Sequence, residues 1–378
     1  MTMIEVEAGT IGEAPAVTRE CWDDDLAELR CVQVQQITHD VRSFVFAPPP
    51  GQQVSFKAGQ FITLQLEIDG GHLERCYTIS SPPTRPDRLS ITVKRVAAGP
   101  VSNWLHDTLR PGARLTARAP SGGFTLGEDV AERTGKYLFL SAGSGITPLM
   151  SMTRTLFDLG SPADVLFVHS ARSPADIVFR RELDAIASVL PSVRVMHVCE
   201  SDHPADRWPG LRGRLTAEMV STLIPDLDQR TTYVCGPAGY MASVRQLLDA
   251  RDYDMTRYHE ESFSFEELPF RSGSLAVQPI TSESESESES TTGYLVEFAR
   301  SGRSVPCGPG QTILDAALAA GLRPPSSCTQ GMCGTCKTVK LGGEVDMRHN
   351  GGIRPKEIAQ GKILLCCSRP LTDLQLDA

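Results

Sequence analysis

The sequence predicts a multidomain chain: an antiparallel β-barrel, then an α/β domain built on a parallel sheet, then a small α+β domain at the carboxyl end. Three observations predict it. Short β-type runs broken by Pro and Gly fill the first third, apolar runs alternate with helical segments in the middle, and an alternating Ser/Glu run from Ser282 to Ser290 sets both apart from a Cys-rich end. A length of 378 residues suits two or three domains.

After an N-terminal tail at 1–25, β-type runs lie at 30–38, 43–47, 61–68, 77–80, 89–96 and 114–119. Many short strands joined by turns make a barrel, placed at 26–132. Within it, residues 102–109 carry Trp104, Leu105 and Leu109 at helical spacing and stop at Arg110-Pro111-Gly112. Beyond Lys136, apolar runs at 137–141, 164–169, 193–199 and 231–235 are separated by helical stretches. Strands that are apolar on both faces belong to a parallel sheet covered on both sides, so 133–265 is read as an α/β domain. Residues 266–291 have little to bury, and repeated Glu charges keep such a segment extended, which predicts a flexible tether. The unit at 292–378 combines a strand at 294–298, a helix at 313–320 and the Cys-rich loop.

Composition narrows the function. Lys plus Arg number 37 against 46 Asp plus Glu, a formal charge of -9, which opposes attraction to nucleic acid or to anionic lipid. No run reaches the roughly 18 to 20 apolar residues of a membrane helix, and the first residues lack the order of a secretory signal, so a cytoplasmic location is expected. Eleven cysteines, four of them in one pattern near the end, fit metal ligation in a reducing compartment better than disulfides.

That pattern is Cys328, Cys333 and Cys336, with four and then two residues between them, followed by Cys366. This is the plant-type 2Fe-2S spacing. Soft anionic thiolates stabilise iron in a sulfide cluster, and Gly331 and Gly334 let the loop fold closely around it. Zinc sites pair two close dyads, whereas here three ligands share one loop and the fourth is distant. Cys367 directly follows Cys366, so the residues alone leave two choices for that fourth ligand.

Two further constellations point to nucleotides. Arg75-Cys76-Tyr77-Thr78 on a barrel strand offers a guanidinium for phosphate, an aromatic face for a flavin ring and a hydroxyl for the ring edge. Val93 and Lys94, then Gly99, Val101 and Ser102 at a helix start, offer backbone N–H groups and a hydroxyl to a pyrophosphate. In the α/β domain, Gly143, Gly145, Thr147 and Pro148 follow a strand and open a helix, and Gly236 and Pro237 after Cys235, with Met241 in the next helix, make a second close turn on the same sheet edge. Two such loops form a dinucleotide crevice. Asp176, Glu200 and Asp202 favour a free ribose hydroxyl and hence NADH, while Arg172 argues for a phosphate or is a solvated loop charge.

These motifs resemble the ferredoxin-reductase superfamily, with Arg75 to Thr78 and Gly99 to Ser102 matching its flavin motifs, and Gly143 to Pro148 and Cys235 to Pro237 its nicotinamide motifs. With the cluster module attached, the chain is similar to the reductase components of Rieske-type oxygenases that demethylate glycine betaine and related quaternary ammonium compounds; the NADH oxidoreductase of the hybrid-cluster protein shares the layout. The resemblance implies an FAD-binding barrel, an NAD-binding domain and a C-terminal plant-type ferredoxin (β-grasp) domain. It implies Thr78 beside the flavin, Cys235 beside the nicotinamide, and Cys366, four residues before Pro370, as the fourth ligand. It also implies a monooxygenase reductase that passes electrons from NADH through FAD and the 2Fe-2S cluster to a terminal oxygenase, the tether letting the cluster domain move between collecting and delivering. A reading from another class, a redox-responsive carrier module, is opposed by the flavin and nicotinamide motifs.

Overall fold

The computed structural model describes residues 20–22, 26–126, 134–262, 293–322, 324, 326, 331, 334, 336–349, 352–353 and 355–378. The tether predicted at 266–291 and the ligands Cys328 and Cys333 lie outside them.

The barrel is a six-stranded antiparallel sheet in the order Gly71–Thr78, Phe61–Ile68, Arg114–Ser121, Leu26–Gln36, Val41–Ala47, Leu89–Lys94. An Ile79–Ile91 bridge joins the first and last strands and closes it. Alternation fills its interior with Leu29, Phe44, Phe46, Ile62, Leu64, Leu89 and Ile91, all fully buried. The helix Pro100–Thr108 opens on Gly99 with Pro at its first turn, where the missing N–H costs nothing, and sends Val101 and Leu105 into that core. A short strand, Glu20–Trp22, pairs with Gln52–Val54 inside what the sequence reads as a tail, because Trp22 is itself a core residue.

The second domain is a parallel six-stranded sheet in the order Leu211–Arg212, Val193–Cys199, Asp164–Ala171, Lys136–Ala142, Thr231–Gly236, Tyr258–Ser262. Helix Ile146–Asp158 buries Leu149, Met150 and Met152 against one face; Ala238–Asp249 buries Met241, Val244 and Leu248 against the other. Two strands escape the sequence pattern: Leu211–Arg212 is too short, and Tyr258–Ser262 is charged rather than apolar because it lies at the sheet edge. Val41, Ala58, Phe124 and Leu126 of the barrel belong to the core of this domain, and Arg154 donates to the carbonyl of Ser80 while holding Glu182 at 2.7 Å.

The carboxyl domain is a mixed five-stranded sheet in the order Arg303–Cys307, Tyr294–Phe298, Leu374–Leu376, Lys337–Gly342, Lys362–Leu364. The helix Ile313–Ala319 packs Ile313, Leu314 and Ala317 against Val296, Val305 and Leu365. Thr312 caps that helix by accepting from Asp315 N at 3.2 Å.

Candidate cofactor sites of the three domains

The boundary between barrel and parallel sheet gathers the first set of predicted residues. Strand alternation puts Arg75 and Tyr77 on one face of Gly71–Thr78 and Cys76 and Thr78 on the other. Thr78 is buried and donates its hydroxyl to Glu261 Oε2 at 3.3 Å. Glu261 is paired in register with Cys235, whose own partner on the opposite side is Ser141. Burial pushes the Glu261 carboxyl up to about 8, opposed only by the Thr78 hydrogen bond. The Cys235 thiol is likewise pushed well up, by burial and by the neighbouring carboxyl, so it is neutral and no nucleophile.

The phosphate loops are built for close approach. At Gly145 a Cβ would stand 2.4 Å from the carbonyl oxygen of Cys235, so only glycine lets the two loops meet. Gly143 adopts φ +54 with open space above it, and the buried Thr147 hydroxyl donates to Ser144 O at 3.2 Å, tightening the turn into a helix in which Pro148 is also buried. Gly236 faces the Tyr240 ring and Ala142, and Pro237 caps the following helix. On the barrel, Ser102 accepts from Val96 N and donates to Gly99 O, both at 3.2 Å, so its hydroxyl shapes the Gly99 turn. Lys94 pairs with Asp40 at 3.2 Å, and Arg75 donates to Glu74 O at 2.7 Å.

Other predicted residues stand elsewhere. Val93 and Val101 point into the barrel core, and Met241 packs among Leu138, Leu140 and Val168 beneath the sheet; these side chains are packing, and only their backbone faces a loop. Asp176 turns toward the barrel, accepting from Ser173 at 2.6 Å and lying 4.0 Å from His39. Arg172 is exposed, and the carboxylates Glu200 and Asp202 are taken by Arg214 and Arg212. No motif marks Glu261 in the sequence; the register that sets it beside Cys235 is the signal that singles it out.

In the carboxyl domain, Cys336 and Cys366 are both buried, and Gly331 N donates to Cys366 Sγ at 3.2 Å, as backbone amides do toward cluster thiolates. Gly331 (φ +69) and Gly334 (φ +73) sit where a Cβ would meet Cys367 Sγ at 2.8 Å and Gly352 O at 2.7 Å. The donor set and this tight cradle fit a 2Fe-2S cluster. The Thr78–Glu261 boundary and the glycine turns fit a flavin and a dinucleotide.

A barrel with flavin motifs, a parallel sheet with a dinucleotide crevice and a cysteine-cradled cluster domain define a class: flavin- and nicotinamide-dependent iron–sulfur reductases. Family models agree: residues 28–126 match the oxidoreductase FAD-binding domain, 139–246 the oxidoreductase NAD-binding domain and 296–371 the 2Fe-2S iron-sulfur cluster binding domain. The glycine betaine monooxygenase reductase subunit of Chromohalobacter salexigens is 45% identical over 365 residues, 96% of this chain and 98% of that protein. The stachydrine N-demethylase reductase subunit of Rhizobium meliloti is 40% identical over 354 residues, 94% of this chain and 97% of that protein. Phthalate dioxygenase reductase, a solved structure described as a modular path from pyridine nucleotides to 2Fe-2S, superposes with TM-score 0.55 at 25% identity, covering 93% of this chain and 98% of its own. The chain belongs to the ferredoxin-reductase superfamily, in the family of the reductase subunits of multicomponent monooxygenases. It is an NADH oxidoreductase with FAD and a 2Fe-2S cluster as its cofactors. Among the described residues no helix is long and apolar enough to cross a membrane.

Proposed function

We propose that this chain supplies electrons from NADH to a terminal Rieske-type oxygenase that N-demethylates glycine betaine or a related quaternary ammonium compound, and that it works in the cytoplasm. The observation that carries the reading is likeness over nearly the whole chain to reductase subunits named for betaine and stachydrine substrates.

A flavin held between barrel and parallel sheet would supply the exchange between two-electron and one-electron transfer that lets a nicotinamide feed a one-electron cluster. The chain's own residues do the rest by positioning. Thr78 and Glu261 bridge the two domains at 3.3 Å and hold a neutral, hydrogen-bonded boundary from which water is excluded. The turns at Gly143–Gly145 and Cys235–Gly236 supply backbone N–H groups at a helix start for a pyrophosphate. Arg75 offers a cation to phosphate from the barrel side. Cys328, Cys333, Cys336 and Cys366 hold the cluster, Cys366 receiving the Gly331 amide. The domain limits 26–132, 133–265 and 292–378, with 266–291 as the connection, are part of this proposal; the family matches, at 28–126, 139–246 and 296–371, fall within them. No cage for a quaternary ammonium ion is assigned to this chain, because the substrate belongs to the oxygenase.

The test is reconstitution with a candidate Rieske oxygenase. NADH consumption that depends on glycine betaine and yields formaldehyde supports the reading. Turnover with a hybrid-cluster protein in place of the oxygenase overturns it.

A further inference from the structure

Helix Ile146–Asp158 begins at the Gly143–Gly145 turn, which fits a dinucleotide. Its residues Ser151, Arg154 and Asp158 follow one another at intervals of three and four, so they share one helix face. All three bond to one short barrel segment, residues 80–85, which continues the flavin strand beyond Thr78. Ser151 Oγ donates to Ser81 O at 2.7 Å, Arg154 Nη1 donates to Ser80 O, and Asp158 accepts from Arg85 Nε and Nη2 at 2.9 and 2.6 Å. A single helix therefore joins the dinucleotide turn to the flavin strand.

The three contacts are unequal. Arg85 is 62% exposed, and ion pairs at the surface contribute little. Arg154 is only 14% exposed, and every arm of its guanidinium is committed. Its Nε and Nη2 form a bidentate pair with Glu182, both at 2.7 Å, and its Cζ lies 4.6 Å over the Phe179 ring. Such a planar fork holds direction as well as distance, which the point charge of a lysine does not. Phe179, just before helix Arg180–Val189, has φ +58, a left-handed conformation that bulky side chains rarely take. Its ring is held in that place by Arg154 and by the core of the α/β domain. At the barrel end Ser80 is fully buried; its N–H donates to Ser90 O at 2.7 Å, and its hydroxyl lies 2.9 Å from Thr92 Oγ1, itself 2.7 Å from Ser43 Oγ. Arg154 thus ties two fixed bodies together.

Hydride passes only between rings held in contact, and a misplacement of about 1 Å can lower such a rate about 100-fold. We propose that Arg154 is a positioning residue for the NADH-to-FAD step: by holding the Ser80 carbonyl, Glu182 and the Phe179 ring on one guanidinium, it sets how closely the dinucleotide turn approaches the flavin strand. Arg154 itself makes and breaks no bond in the transfer. The inference goes beyond the choice of acceptor, since it concerns the half of the reaction that precedes the cluster.

Arg154→Lys tests this with the charge and a bond to Ser80 O retained but the fork and the stacking lost; Arg154→Leu removes all of them. In anaerobic stopped flow of the holoprotein, the limiting rate of flavin reduction by NADH falls about tenfold in Arg154→Lys and about 100-fold in Arg154→Leu, while the NADH concentration giving half that rate stays within about twofold of wild type. The long-wavelength charge-transfer absorbance of NAD+ against the reduced flavin weakens in parallel. In the oxidised holoprotein, the distance distribution between spin labels at the exposed positions Leu26 and Val189, one on each domain, broadens. Arg85→Gln, which breaks only the exposed pair, leaves all of these readings near wild type. A wild-type limiting rate in Arg154→Lys overturns the proposal, as does a slowed rate with unchanged absorbance and distances. A rise in the half-saturating NADH concentration at an unchanged limiting rate would make Arg154 a binding group and overturns it too. Failure to serve a Rieske oxygenase would strike the proposed function and leave these readings as they are, so the two are judged separately.

Discussion

Thr78 of the barrel donates to Glu261 of the parallel sheet over 3.3 Å, joining residues 183 positions apart at a buried boundary. The carboxyl stays protonated near neutrality because burial raises its pKa to about 8 from an ordinary 4.5. A pKa raised on folding means the native state holds its proton more tightly than the unfolded chain. The contribution of this group to stability is then highest below about 4.5, falls as pH climbs to about 8 and is level above it. The expected loss is about 3 to 5 kcal/mol across that window. Glu261→Gln abolishes this slope, and urea unfolding of wild type and variant across pH checks it; an identical slope in the variant would assign the titration to another group.

The proposed role of Thr78 in the reaction is open to test by substitution. Thr78→Val keeps the shape and removes the hydroxyl, leaving Glu261 without its buried donor. NADH-driven bleaching of the flavin should slow about 10- to 100-fold with little change in KM, since the group orients rather than binds substrate. Thr78→Ser should restore most of the rate. Anaerobic stopped-flow absorbance reads both, and equal rates in Val and Ser variants would remove the hydroxyl from the mechanism.

Much of this architecture was legible in sequence because the periods change: short alternating strands, then apolar runs between helices, then the cysteine spacing. The glycine turns were legible too, since only close approach explains Gly145 and Gly331. What sequence hid is register. Glu261, Ser141, His169 and His197 lie on four different strands, and nothing in their spacing says that they share one row of the sheet. Side-chain direction was hidden as well, which is why Met241, Val93 and Val101 read as ligand contacts although their side chains fill cores.

The adjacent thiols Cys366 and Cys367 are separated by their surroundings. Cys366 is 6% exposed and accepts the Gly331 amide, whereas Cys367 is half-buried beneath the Gly331 Cα, with its thiol 3.8 Å from Leu364 O. Cys366→Ser should lose the cluster's visible absorbance and its acid-labile sulfide, abolish cytochrome c reduction and leave NADH-driven flavin bleaching intact. Cys367→Ser should keep iron and sulfide at wild-type stoichiometry. The opposite pattern would make Cys367 the fourth ligand.

Gly145 and Gly143 separate two costs that glycine turns usually mix. Gly145 has an ordinary helical φ of -65, so alanine there is conformationally easy, yet its Cβ would lie 2.4 Å from Cys235 O and 2.5 Å from Gly236 N. Both atoms are backbone, so the second loop must shift. Gly143 is the reverse, at φ +54 with nothing within 4 Å of its Cβ. Gly143→Ala should therefore cost about 1 kcal/mol of stability and leave the crevice intact. Gly145→Ala should cost about 1 to 3 kcal/mol and raise KM for NADH at least about tenfold, because displacing the Cys235–Gly236 turn moves half of the dinucleotide site. Thermal unfolding and steady-state ferricyanide reduction measure the two quantities separately. Equal KM values in the two variants would show that close approach of the loops does not shape nicotinamide binding.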